Sequence, residues 1–124
     1  MTLFIIYVAD PLLSKRFYTS VFNNDPVLDV PGMIEFQLSD QCKLGIMPEK
    51  GIAKILKDKT PHPSKGNGIP RCEIYLFVEN IQRYIDRTVK AGGKLISPLS
   101  NRDWGDNVCY FSDPDGHILA LAEK

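Results

Sequence analysis

Several things are scarce in this 124-residue chain, and each scarcity excludes something. It has three cysteines (Cys42, Cys72 and Cys109), so they cannot all pair with one another. No Cys-x-x-Cys spacing occurs, which removes the usual signals for a zinc site or a thioredoxin-like motif. There are only two histidines and one tryptophan. Charge of one sign is not in excess: fifteen basic and fifteen acidic residues cancel. No overall field therefore draws the chain onto nucleic acid or anionic lipid. Basic residues interleaved with exposed aromatics, as an RNA-binding sheet needs, are not found either. No apolar run approaches the ~18 residues of a membrane span, and the N-terminus lacks the pattern of a secretory leader. The expectation is a cytoplasmic protein with reduced thiols, with the cysteines as small buried hydrophobes.

What is present is a pattern of elements used twice. Leu3–Ala9 is apolar almost throughout, as in a strand covered on both faces. Asp10-Pro11 then opens a helix, with Asp10 as N-cap and Pro11 at the first helical position. Leu13, Phe17 and Val21, with Tyr18 and Phe22, recur at helical spacing. Strand-like runs follow at Val27–Val30, Met33–Leu38 and Cys42–Met47. The order restarts at Cys72–Val78. Asn80 is the expected cap of a second helix carrying Ile81, Tyr84, Ile85 and Val89, and Gly92-Gly93 suits its end. Strands are expected at Lys94–Ser97, Asn107–Ser112 and His117–Glu123. Asp113-Pro114-Asp115-Gly116 is the turn between the last two.

The reading is one α+β domain over 1–124, built of tandem β-α-β-β-β modules at 1–48 and 71–124. The connector, 49–70, allows a short helix around Ile52–Leu56 and then becomes rich in Pro, Gly, Ser and Lys. Such composition suits a solvated linker. Its excess of lysine over acid also suits an anionic ligand.

The segments YVADPLLSKRFYTSVF, VENIQRYIDRTVKAGGKLISP and YFSDPDGH resemble the vicinal oxygen chelate superfamily. That group includes glyoxalase I, extradiol dioxygenases, fosfomycin-resistance enzymes and bleomycin-resistance proteins. The resemblance implies U-shaped mixed sheets enclosing a concave cavity. It places the family's metal ligands at Leu3, Glu73 and Ala120. Leucine and alanine offer no lone pair, and no His, Asp or Glu lies within two residues of either. A divalent site needs about three N, O or S donors. No metal and no other cofactor is therefore expected, and the character is nearest the metal-free bleomycin-resistance branch.

Alternation from those positions puts Ile5 and Tyr7, Tyr75 and Phe77, and Ile118 and Ala122 on the concave face. Tyr110 matches a ligand-contacting tyrosine of fosfomycin-resistance relatives. Trp104 and Arg102, in the loop NRDWGDN, are candidates for a stacking lid and an anion clamp. Glu73, in a dry cavity, would serve as a general base. His117 is expected to bond its turn or stay solvated, and His62 to sit in an exposed loop.

The leading functional reading is a cavity that binds a small, partly aromatic or amphipathic molecule. The alternatives are a metal-independent acid–base enzyme using Glu73, a scaffold with a closed pocket, and a metal-dependent glyoxalase I, which Leu3 and Ala120 disfavour. The resemblance further implies a homodimer with shared clefts.

Overall fold

A computed structural model describes residues 1–124. The first module runs β1 (Thr2–Val8), α1 (Pro11–Phe22), β2 (Leu28–Val30), β3 (Met33–Ser39) and β4 (Cys42–Pro48). The connector holds α2 (Glu49–Leu56) and two short 3-10 turns at Lys57–Lys59 and Pro63–Gly66. The second module repeats the order as β5 (Glu73–Phe77), α3 (Ile81–Lys90), β6 (Lys94–Asn101), β7 (Asn107–Ser112) and β8 (Ile118–Glu123). The sheets have equivalent strand orders, β1-β4-β3-β2 and β5-β8-β7-β6. In each, the first strand pairs parallel with the last and the other pairs are antiparallel.

Local chemistry explains most element ends. Asp10 Oδ1 accepts from the Leu12 and Leu13 amides at 3.0 and 3.3 Å, which satisfies two orphan donors of α1. Asn23 ends that helix in the left-handed region at φ 53°. Gly92, at φ 95°, closes α3 while the Gly93 amide donates back to the Thr88 carbonyl at 2.9 Å. Asn80 departs from expectation: its φ is 56° and its side chain caps nothing.

One core joins the modules. Ile6 and Val8 of β1 meet Phe17, Tyr18, Val21 and Phe22 of α1, and the same cluster takes in Leu119 and Leu121 of β8. Tyr18 and Phe22 stack at 5.4 Å and Phe22 meets Phe36 edge-on at 5.5 Å, geometries that add to area burial. Helix α1 packs on α3, and Arg87 Nε donates to the Val21 carbonyl at 3.2 Å.

Three expectations need correction. Strand β1 is covered mainly on one face and towards its end: Ile6 and Val8 are buried, whereas Leu3 and Ile5 on the opposite, concave face are exposed, as is Phe4 at the start of the buried face. Leu13 is exposed and Ser14 buried, since Ser14 turns inward to bond Asp115. Of the cysteines only Cys109 is buried; Cys42 is half-buried and Cys72 exposed. No helix is long and apolar enough to cross a membrane.

Candidate functional site

The turn between β7 and β8 does more than fix register. Asp113 Oδ1 accepts from the Asp115 and His117 amides, both at 2.9 Å. Its Oδ2 takes the Tyr18 hydroxyl proton at 2.6 Å. Asp115 accepts from the Ala9 amide at 2.8 Å and from Ser14 Oγ at 3.3 Å. Both aspartates are buried, so the turn clasps the first module through charge-assisted bonds. Desolvation raises the Asp113 carboxyl above its ordinary value, with the Tyr18 bond and the charge of His117 pulling the other way. Burial, and then the Asp113 charge, hold the Tyr18 phenol well above its usual range.

The clasp delivers His117 to a specific place. The residue is 3 % exposed, not solvated as the turn alone suggests. Its Nε2 lies 3.1 Å from the Tyr7 carbonyl and 3.4 Å from Arg71 Nη2. Its Nδ1 lies 3.5 Å from Cys72 Sγ. A carbonyl only accepts, so the shorter contact sets Nε2–H donating to Tyr7 and leaves the Nδ1 lone pair facing the thiol. Desolvation and the nearby Asp113 carboxylate push the Cys72 thiol up, against a downward pull from Arg71.

These groups form one wall of a cavity of about 600 Å³. Ile5, Ile6 and Tyr7 come from β1. The connector supplies Leu56, Pro61 and Pro63 as apolar surface and His62 and Lys65 as polar reach. The connector is therefore an ordered wall. Its Gly68 amide donates to the Asp115 carbonyl at 3.1 Å, against the turn itself. His62 is exposed as expected, yet it borders this space and its Nδ1 accepts from the Ser64 amide. No carboxylate lines the cavity, whereas Lys65, Arg71 and both histidines do. The ion pairs of the molecule, Lys15–Asp29 and Lys43–Glu35, involve none of them.

The remaining sequence candidates fall into a second group. Ile5, Glu73 and Tyr75 border a smaller, mostly apolar cleft between β1 and β5. Glu73 is exposed there rather than enclosed in a dry cavity. Tyr75 meets Phe77 edge-on at 5.3 Å, donates to Asp106 at 2.8 Å and accepts from Trp104 Nε1 at 2.8 Å. Tyr75 and Tyr110 pack on buried Val108, Ala120 and Ala122. Arg102 sits 5.1 Å above the Tyr110 ring. Its Nε and Nη2 donate to the carbonyls of Val108 and Pro98 and to Ser97 Oγ, so the guanidinium holds its own loop. Ile118 is half-buried opposite Glu73 at the head of β8. Ile5 and Tyr7 thus meet in the large cavity, while Phe77, Arg102, Trp104, Tyr110 and Ile118 lie outside it.

The donor set does not fit the family's metal. Leu3 is an exposed leucine, Ala120 is a buried methyl group, and nowhere do three His, Cys, Asp or Glu side chains gather to hold an ion. The residues that sequence reasoning passed over are Arg71, Cys72 and Lys65, together with the cavity-facing role of His117. The excess of lysine in the connector was the available signal. The Cys72–His117 proximity joins positions 45 apart and leaves no local pattern.

The whole chain, residues 1–124, matches the family model described as a glyoxalase-like domain. A glyoxalase-related enzyme from Fulvimarina pelagi superposes with TM-score 0.82 at 23% identity, over 100% of this chain and 87% of that one. A glyoxalase/bleomycin resistance protein/dioxygenase family enzyme from Burkholderia phytofirmans PsJN gives 0.80 at 12% identity, over 98% and 95%. For a glyoxalase/bleomycin resistance protein from Catenulispora Acidiphila DSM 44928 the values are 0.68 and 18%, over 99% and 96%. At such identities the likeness is one of fold. No curated protein sequence matches the chain.

Proposed function

The chain belongs to the glyoxalase-like domain family, within the vicinal oxygen chelate superfamily, and we propose that it binds a small amphipathic anion without a metal. The observation that carries this reading is the cavity between β1, the connector and His117. Its volume of about 600 Å³ suits a small organic molecule. Apolar surface from Ile5, Leu56 and Pro61 would take the body of the ligand. Arg71 and Lys65, which have no carboxylate partner, would take its acidic end. Tyr7 is the one phenylalanine, tyrosine or tryptophan among the lining residues, so aliphatic and singly aromatic acids fit better than large fused rings.

Calorimetric titration of carboxylic acids and their amides tests the reading. Acids are expected to bind and amides to bind at least about ten-fold more weakly, the scale of one charge-assisted contact. Arg71→Gln should remove most of that preference. Equal binding of both forms, unchanged by Arg71→Gln, contradicts it.

A cytoplasmic, homodimeric state belongs to the same proposal. Phe4, Phe77, Ile96 and Trp104 are each more than half exposed, which is apolar surface suited to a second copy. Sedimentation at micromolar concentration should give the dimer mass; a monomer removes any shared cleft. Glu73 acid–base catalysis is not favoured, because the residue is exposed and outside the large cavity.

A further inference from the structure

We propose that Cys72 and His117 form a thiol–imidazole pair that adds covalently to a soft electrophile in this cavity, an α,β-unsaturated carbonyl compound bearing an acidic group. The acidic group rests on the anion-binding reading above; the pair itself rests on geometry. Three observations meet at one sulfur. Cys72 has solvent access and also lines the cavity. His117 is buried and fixed: the Asp113 clasp holds its backbone, and the Tyr7 carbonyl takes Nε2–H at 3.1 Å. Nδ1 is thereby left as an acceptor 3.5 Å from Sγ, within the reach of a weak S–H donor.

The backbone at Cys72 is held as well, since the Ile118 amide donates to its carbonyl at 3.1 Å. A nucleophile next to a base, with the base oriented by a third group, is the arrangement covalent catalysis requires. The charged and titratable groups nearby are Arg71, Asp113 and Glu73, with Lys65 and His62 also lining the cavity. Arg71 lies against Gly66, where a Cβ would sit 2.5 Å from Nη1, so this glycine makes room for the guanidinium beside the thiol.

The addition balances without an outside redox partner. The Cys72 S–H proton passes to Nδ1 as sulfur attacks the β-carbon, forming an S–C bond and breaking the C=C π bond. That electron pair moves to the α-carbon as an enolate. The imidazolium then returns the proton to the α-carbon, leaving a saturated thioether and neutral His117.

Cys42 and Cys109 serve as internal controls, since neither is bonded to a histidine. The experiment treats the full chain with trans-3-benzoylacrylate or its methyl ester and locates adducts by peptide mass spectrometry. Cys72 should label at least about ten-fold faster than Cys42, below the usual range for a positioned base. His117→Gln keeps a donor for the Tyr7 carbonyl but removes the base, and should cancel that advantage. Should that variant not fold, the wild-type rate in D2O gives the second readout: proton transfer to imidazole slows it, whereas a preformed thiolate does not. Labelling of Cys72 no faster than Cys42, or an undiminished rate in His117→Gln (in D2O, should that variant not fold), overturns the pair.

The saturated analogue 3-benzoylpropionate separates the two readings. If it binds reversibly to Cys72→Ala while Cys72 of the wild type shows no advantage, the anion site stands and the thiol proposal falls. If it does not bind and the acid and ester label Cys72 equally fast, the pair stands and the acidic preference is overturned.

Discussion

At the scale of single residues, Asp113 carries more of the structure than any catalytic candidate. Its carboxylate answers one phenol and two backbone amides in a desolvated place. Asp113→Ala would leave all three donors unpaired, and each buried orphan costs about 1–3 kcal/mol, partly relieved by relaxation. A loss of roughly 2–4 kcal/mol in denaturant unfolding is expected, and Tyr18→Phe, which removes one bond to a charged group, should cost about 1.5–3 kcal/mol. Because the folded-state carboxyl is raised from 3.8, the native protein binds this proton more tightly than the unfolded chain does. Stability from Asp113 is therefore greatest below that value and falls as pH rises through the folded value. Unfolding free energies across this window, measured against Asp113→Asn, should show wild type losing stability relative to the variant. A relative gain with rising pH would contradict this account of burial.

At the scale of elements, the connector and the β7–β8 turn act as one unit. Gly116 sits at φ 89°, and a Cβ there would lie 2.8 Å from the Gly68 backbone. Gly116→Ala adds left-handed strain of about 1–3 kcal/mol and pushes the connector off the turn. Limited proteolysis should then cut between 57 and 70 where wild type resists; an unchanged pattern would show that the contact does not hold the connector. Helix α1 was legible in the sequence because Asp10-Pro11 and the spacing of Phe17 and Val21 are local signals. The second strand of each hairpin was legible from its turn. The open side of β1 was not, since Leu3 and Ile5 read as apolar whether or not a layer covers them. Asn80 failed as a cap because its backbone is left-handed, not the extended conformation in which an N-cap side chain meets the first amides. The order of the connector depends on Gly68 meeting Asp115 and Gly116, a tertiary contact that Pro-Gly-Lys composition conceals.

At the scale of the whole molecule, zero net charge conceals an uneven distribution. Acids and bases cancel over the chain, yet the large cavity has basic residues and no carboxylate. The absence of the family's metal ligands was readable from Leu3 and Ala120 alone, because no fold can give those side chains a lone pair. Where the large cavity lies was not readable, since it takes walls from both modules and the connector. The most direct test is a thermal-shift titration with an aromatic carboxylate and its amide, each in EDTA and in nickel or zinc. Stabilisation by the carboxylate alone, equal in EDTA and in metal, is the result expected. Stabilisation that vanishes in EDTA, or that metal produces by itself, would contradict a metal-independent anion site.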